Sequence, residues 1–126
     1  MLKKIYIDNY ACLVNFTAEL PSFSVLCGHN GAGKTSIFNA LRIIRALVTG
    51  EIILGVDSKS LVNAKTLFLT QFGEKKNAVQ TFELEILTGG HTFHYKLKIE
   101  QSIQLDQIPP FGIPQIIEEH VACDGI

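Results

Sequence analysis

A chain of 126 residues, 47% of them hydrophobic, has the length of one domain and enough apolar material for its core. Its 11 lysines and arginines nearly balance 12 aspartates and glutamates, so no basic surplus marks a nucleic-acid surface. No apolar run approaches the roughly 20 residues of a membrane helix, and Ile5, Tyr6 and Ile7 are too few for a signal-peptide core, so a soluble, cytoplasmic protein is expected. Cys12, Cys27 and Cys123 are odd in number and scattered, which fits reduced, buried thiols.

Leu2 to Asp8 and Leu13 to Leu20 read as two strands joined by a turn at Asn9 and Tyr10. In the second, Val14, Phe16, Ala18 and Leu20 alternate with Asn15, Thr17 and Glu19, which predicts one face to the core and one to water. Pro21 ends that run, and Ser22 to Cys27 is a short strand-like stretch entering Gly28 to Thr35, GHNGAGKT.

This glycine-rich turn has the GxxxxGK[ST] spacing of a Walker A phosphate cradle. Gly28, Gly31 and Gly33 lack a Cβ, so the backbone can take positive φ angles and curl its N–H groups toward one anion. Lys34 is placed to reach terminal phosphates as a point charge, and the Thr35 hydroxyl is a ligand type suited to Mg²⁺. The cradle then spans Gly28, His29, Asn30, Gly31, Ala32, Gly33, Lys34, Thr35 and Ser36. A helix follows: Ile37, Phe38, Ala40, Leu41, Ile43, Ile44, Leu47 and Val48 form its apolar side, with Thr49 and Gly50 as the stop.

Glu51 to Asp57 reads as a loop or short edge strand, although Asp57 imitates a metal-side acid. Leu61 to Phe72 is ambiguous between helix and strand, and its Asn63, Lys65 and Thr66 lack the aspartate of a guanine-reading loop. Val79 to Thr88 and His91 to Glu100 form a hairpin around Gly89 and Gly90, two glycines that suit a type I′ turn. Pairing Thr88 with His91 sets Ile86 against Phe93, Leu84 against Tyr95 and Phe82 against Leu97, all on one face. Glu83 then opposes Lys96 on the other face, with Glu85 and Lys98 as diagonal partners. His91 and His94 point to opposite faces and share no metal.

Ser102 to Pro114, with Pro109, Pro110 and Gly112, is expected to be irregular. Gln115 to Cys123 resumes a possible strand, on which Glu118 and Glu119 read as surface residues rather than a hydrolytic acid pair. His120 and Cys123 lack further partners at zinc spacing. The closing Asp124, Gly125 and Ile126 resemble a turn whose next strand is missing, so the front part of a longer protein is expected.

With these residues laid out, the chain resembles the RecF/SMC/OLD-like class of ATPases, relatives of the ABC ATPases. Two strands around an asparagine-aromatic pair, here Asn9 and Tyr10, precede a GxNGxGK[ST] cradle and its helix. The hairpin and the final EEHVACDG are similar to the first lobe of bacterial AAA-type ATP-binding proteins. The resemblance implies an α/β, P-loop NTPase N-terminal lobe: a mixed, largely antiparallel sheet with one P-loop helix and a protruding hairpin. It further implies ATP and Mg²⁺ as ligands, and a homodimer closed through nucleotide in the full-length protein. Residues 1–126 would then be the N-terminal part of the domain, with the signature motif, Walker B acids and switch histidine in a second lobe. Gln71, in LTQFGE, is the candidate for the Q-loop glutamine. Where members often carry Arg or Lys after the asparagine-aromatic pair, this chain has Ala11 and then Cys12. DNA repair, chromosome maintenance or defence are the settings implied, with a nucleic-acid partner met outside this segment. Two other readings stay open: a small self-contained P-loop kinase or GTPase using Asp57, and an interaction module with a vestigial cradle and the hairpin as its docking surface.

Overall fold

The computed structural model describes residues 1–21, 33–50, 79–104 and 111–124. In chain order these form β1 (Leu2–Asp8), β2 (Phe16–Glu19), α1 (Lys34–Val48), β3 (Val79–Thr88), β4 (His91–Gln104) and β5 (Phe111–Cys123). The strands make one five-stranded sheet in the order β2-β1-β3-β4-β5, and each neighbouring pair is antiparallel. The segments 51–57 and 61–72, with Asp57, Asn63, Lys65, Thr66 and Gln71, lie outside the described residues, as do 22–32.

The β3–β4 hairpin has the predicted register, with Thr88 opposite His91, Leu84 opposite Tyr95 and Phe82 opposite Leu97. Gly89 (φ 57°) and Gly90 (φ 78°) take the two left-handed conformations that a type I′ turn requires. The hairpin does not protrude. It forms the centre of the sheet, because β1 pairs along β3 (Ile7 opposite Phe82) and β5 along β4. This second neighbour also redirects Lys98, which faces Glu118 of β5 at 3.3 Å, while Glu85 lies opposite His94.

Alternation gives the sheet one apolar face, and α1 packs on it. Ile37, Ala40 and Ile44 of the helix join Ile5, Ile7, Phe82, Tyr95, Leu97 and Ile99 in a single core, to which Tyr10 and Leu13 also belong. Removing each such large side chain from water contributes about 1.5–3 kcal/mol. The apolar side of α1 is narrower than its sequence pattern: Phe38 and Val48 are exposed, since one sheet face subtends only part of the helix circumference.

Two other expectations are corrected. β2 is shorter than Leu13 to Leu20, and within it Phe16 and Ala18 face the core while Val14 is exposed and Leu13 is buried. The turn from Asn9 to Asn15 shifts the alternation, with positive φ at Asn9, Ala11 and Asn15 and a bridge between Tyr10 and Leu13. The second is Ser102 to Pro114, whose described ends are strand rather than irregular connection: β4 continues to Gln104 and β5 begins at Phe111. Pro114 sits opposite Gln101 on an outermost strand, where its missing N–H can face away from the ladder. Residues 105–110 lie outside the described residues. A β-bulge between Lys98 and Ile99 places Glu118 and Ile116 opposite them, with Ile117 as the extra residue.

Candidate functional site

The start of α1 is the centre of the candidate site. Gly33 caps the helix in the left-handed conformation (φ 86°, ψ −4°), and the Ile37 amide donates to its carbonyl at 3.0 Å as the first helical bond. Lys34, Thr35 and Ser36 therefore precede any intrahelical acceptor for their amides. Their N–H groups and the positive end of the helix dipole make this terminus suited to an anion. The first turn holds no acidic residue to compete, and Arg45 balances the opposite end. Lys34 and Ser36 are half-buried and Thr35 is exposed.

The β1–β2 turn forms the floor beneath this cap. A Cβ placed on Gly33 would lie 3.3 Å from both Cys12 Sγ and Leu13 Cδ2, so turn and cap are in close approach. The turn is held from several directions. Tyr10 and Leu13 exchange backbone hydrogen bonds of 3.2 and 2.8 Å, and the Asn15 amide donates to Asp8 Oδ1 at 2.9 Å. The Tyr10 ring meets Phe82 edge to face, with centroids 5.7 Å apart. Burial raises the Tyr10 pKa, against the lowering effect of the Arg42 cation, and the phenol stays neutral. Cys12 Sγ stands 3.8 Å from Ser36 Oγ. The thiol is exposed, not buried as the sequence led us to expect, because it belongs to the turn rather than to a strand. Cys123 is partly buried and also free, and Cys27 lies outside the described residues.

Of the predicted cradle, the structure brings Gly33, Lys34, Thr35 and Ser36 together at one helix terminus; Gly28, His29, Asn30, Gly31 and Ala32 lie outside the described residues, as does Gln71. Among the described residues no group of three or more His, Cys, Asp or Glu side chains is placed to hold a metal ion. Thr35 and Ser36 are the hydroxyl residues in the first turn of α1, and a hydroxyl oxygen is a ligand type that Mg²⁺ accepts. No described helix is long and apolar enough to cross a membrane.

Residues 1–104 match the family described as AAA ATPase domain. The chain belongs to that family. No curated protein and no solved structure matches it. As an AAA-type ATPase sequence it is a P-loop NTPase, and nucleotide binding, usually with Mg²⁺, comes with that membership.

In this AAA ATPase domain the structure adds residues at the site that the motif did not reveal. Cys12 and Leu13 touch the position of the Gly33 cap, and behind them Gln80 and Gln101 are buried polar side chains, 0% and 4% exposed. A signal for the glutamines was present. Both fall in phase with the apolar alternation that runs through Phe82 and Ile99, where a polar residue demands a buried partner. For Cys12 and Leu13 no such pattern existed, since the turn geometry sets their direction.

Proposed function

We propose that this chain is the ATP- and Mg²⁺-binding lobe of a RecF/SMC/OLD-like ATPase, related to the ABC ATPases, with Gly28 to Ser36 as its Walker A cradle. Lys34 holds the terminal phosphates, the Thr35 hydroxyl holds Mg²⁺, and the amides of Asn30 to Lys34 surround the β-phosphate. The observation that carries this reading is the helix start. A glycine in the left-handed conformation turns the chain into a helix whose opening residues are Lys34 and Thr35, with no acid in the first turn. The order left-handed glycine, lysine, threonine at a helix start is the one that the GHNGAGKT spacing requires of a phosphate cradle, and it supports this reading.

Phosphoryl transfer to water needs a positioned nucleophile and distributed charge stabilisation, and among the described residues of the cradle Lys34 and Thr35 would contribute only to the latter. Residues 1–126 therefore bind nucleotide better than they turn it over. Hydrolysis belongs to a second lobe and to the pairing of two copies through nucleotide. The hairpin does not stand apart as a docking element, since β3 and β4 have neighbours on both sides, and absence of nucleotide binding would favour the interaction module.

Calorimetric titration with ATP and with GTP, each with and without Mg²⁺, tests the proposal. Expected are Mg²⁺-dependent ATP binding without guanine preference, no phosphorylated acceptor, and an affinity about 10–100-fold lower in Lys34→Ala, the loss of one or two charge-assisted contacts. Preference for GTP, or transfer of phosphate to an acceptor by this chain alone, would favour the small kinase or GTPase. Unchanged binding in Lys34→Ala would end the proposal.

A further inference from the structure

We propose that Gln80 and Gln101 are positioning residues for the nucleotide cradle, forming with Asn9 a buried clamp that sets the β1–β2 turn against the Gly33 helix cap. The inference rests on the nucleotide site proposed above, although its geometry stands separately. Gln101 Nε2 donates to Gln80 Oε1 at 3.1 Å, and Gln80 Nε2 donates to the Asn9 carbonyl at 3.1 Å. Asn9 answers with its own side chain, whose Nδ2 donates to the Val79 carbonyl at 3.0 Å. The first residues of β3 thus grip Asn9 through both its main chain and its side chain.

This grip falls where the backbone needs it. Asn9 holds φ 60°, a left-handed conformation that asparagine adopts more readily than other residues with a Cβ, and the two hydrogen bonds fix it there. From Asn9 the chain passes to Tyr10, buried against Phe82, and then to Cys12 and Leu13, whose side chains reach the position of a Gly33 Cβ. Displacement of the turn changes the space in which Gly33 adopts its own left-handed cap. The hydrogen bond from the Ile37 amide to the Gly33 carbonyl, and the direction of the Lys34 and Thr35 groups, depend on that cap.

The chemistry of the clamp explains why two glutamines occupy an apolar face. A buried backbone carbonyl needs a donor, and a single amide side chain in an apolar setting leaves its own oxygen unpaired. Here Gln101 donates to the Gln80 oxygen. A pair of aliphatic residues would fill the same space and free the turn, at the cost of the donor to the Asn9 carbonyl.

That contrast supplies the test, made in the full-length protein. Gln80→Met leaves the Asn9 carbonyl and the Gln101 amide without each other's bridge and destabilises the fold. The double variant Gln80→Met/Gln101→Met removes the orphaned Gln101 amide as well and is expected to recover part of the thermal midpoint, the Asn9 carbonyl still lacking the Gln80 donor. It should still bind ATP about tenfold more weakly, with amide exchange at Tyr10, Leu13 and Ile37 about tenfold faster than wild type. A double variant with wild-type exchange at these three amides overturns the clamp, whatever its ATP affinity. If the double variant fails to fold, Asn9→Gly decides. It tolerates the backbone angle while removing the bond to Val79, and should speed exchange at Tyr10 and Leu13 about threefold. Unchanged exchange there overturns the proposal. Should wild-type protein bind no ATP, the nucleotide site fails, and the clamp is judged on the three amides alone.

Discussion

The two faces of this sheet are built from the same strands and behave as different materials. Toward α1, Ile5, Ile7, Phe82, Leu97 and Ile99 are each no more than 1% exposed, and the polar groups among them, Gln80 and Gln101, are hydrogen-bonded. On the other face, Lys96 bridges Glu83 at 3.8 Å and Glu118 at 3.4 Å, and Lys98 reaches Glu118 at 3.3 Å, with all these side chains 33–45% exposed. Lys98, with Lys96, holds the Glu118 carboxyl below its usual range, yet water screens the ladder. Stability and site geometry therefore reside on the helix side. The charged face contributes register and solubility.

The contrast can be broken most forcefully at Phe82, the largest fully buried side chain among the described residues, which also supports Tyr10 of the turn. Phe82→Ala is expected to cost about 3–5 kcal/mol in urea unfolding. A loss below 1 kcal/mol would show that the helix side is not the principal core. Next comes Gly33→Ala, which forces a side chain into a left-handed cap and against Cys12 and Leu13 at 3.3 Å. About 1–3 kcal/mol of destabilisation is expected, accompanied by weaker ATP binding in the calorimeter.

Tyr95 lies between the two regimes. Its ring is 8% exposed, and its hydroxyl donates to Glu119 Oε1 at 2.9 Å; burial first, then this carboxylate, raise its pKa. Tyr95→Phe should cost about 0.5–1.5 kcal/mol by thermal unfolding, because the ring packing remains and one hydrogen bond is lost. On the charged face, Lys96→Met should change stability by less than about 1 kcal/mol, and added salt should shrink the difference.

The smallest effect expected is a pH dependence at His94. Its Nε2 stands 3.0 Å from Asp124 Oδ2, and Nδ1 is 3.8 Å from Glu85. The hydrogen bond to Asp124 raises its pKa above 6.5. A raised folded-state pKa means that the stabilisation is complete below the unfolded value and fades as pH rises through the folded one. An NMR titration should place the His94 midpoint above 6.5, and Asp124→Asn should lower it. A midpoint at or below 6.5 in the wild type would contradict the pairing.

Much of this was legible in the residues. Period-two alternation and paired glycines specify the β3–β4 register because a shift by one residue would turn Phe82, Leu84 and Leu97 toward water. The Gly33–Lys34 helix start was equally readable, since a residue without Cβ followed by a strong apolar period leaves few other conformations. A turn at Asn9 and Tyr10 was readable too, but its course to Asn15 was not. The left-handed Asn9, Ala11 and Asn15 carry no glycine signal, and they leave Val14, expected inside, exposed while Leu13 is buried. Pro114 misled for a related reason: its tolerance in a strand depends on whether that strand has a neighbour on both sides, a property of the sheet.

The sequence by itself determined the local units, namely the hairpin register, the helix and its apolar side, and the phosphate-type spacing that ends in Lys34 and Thr35, because each depends on contacts only a few residues apart. Only the tertiary structure decided that the hairpin is the middle of the sheet, that the β1–β2 turn lies against Gly33, and that Gln101, Gln80 and Asn9 form one buried connection. Those features join residues distant in the chain, 21 positions apart in the bond from Gln101 to Gln80 and 71 in the bond from Gln80 to Asn9, and a local pattern cannot encode which distant polar group a buried amide will meet.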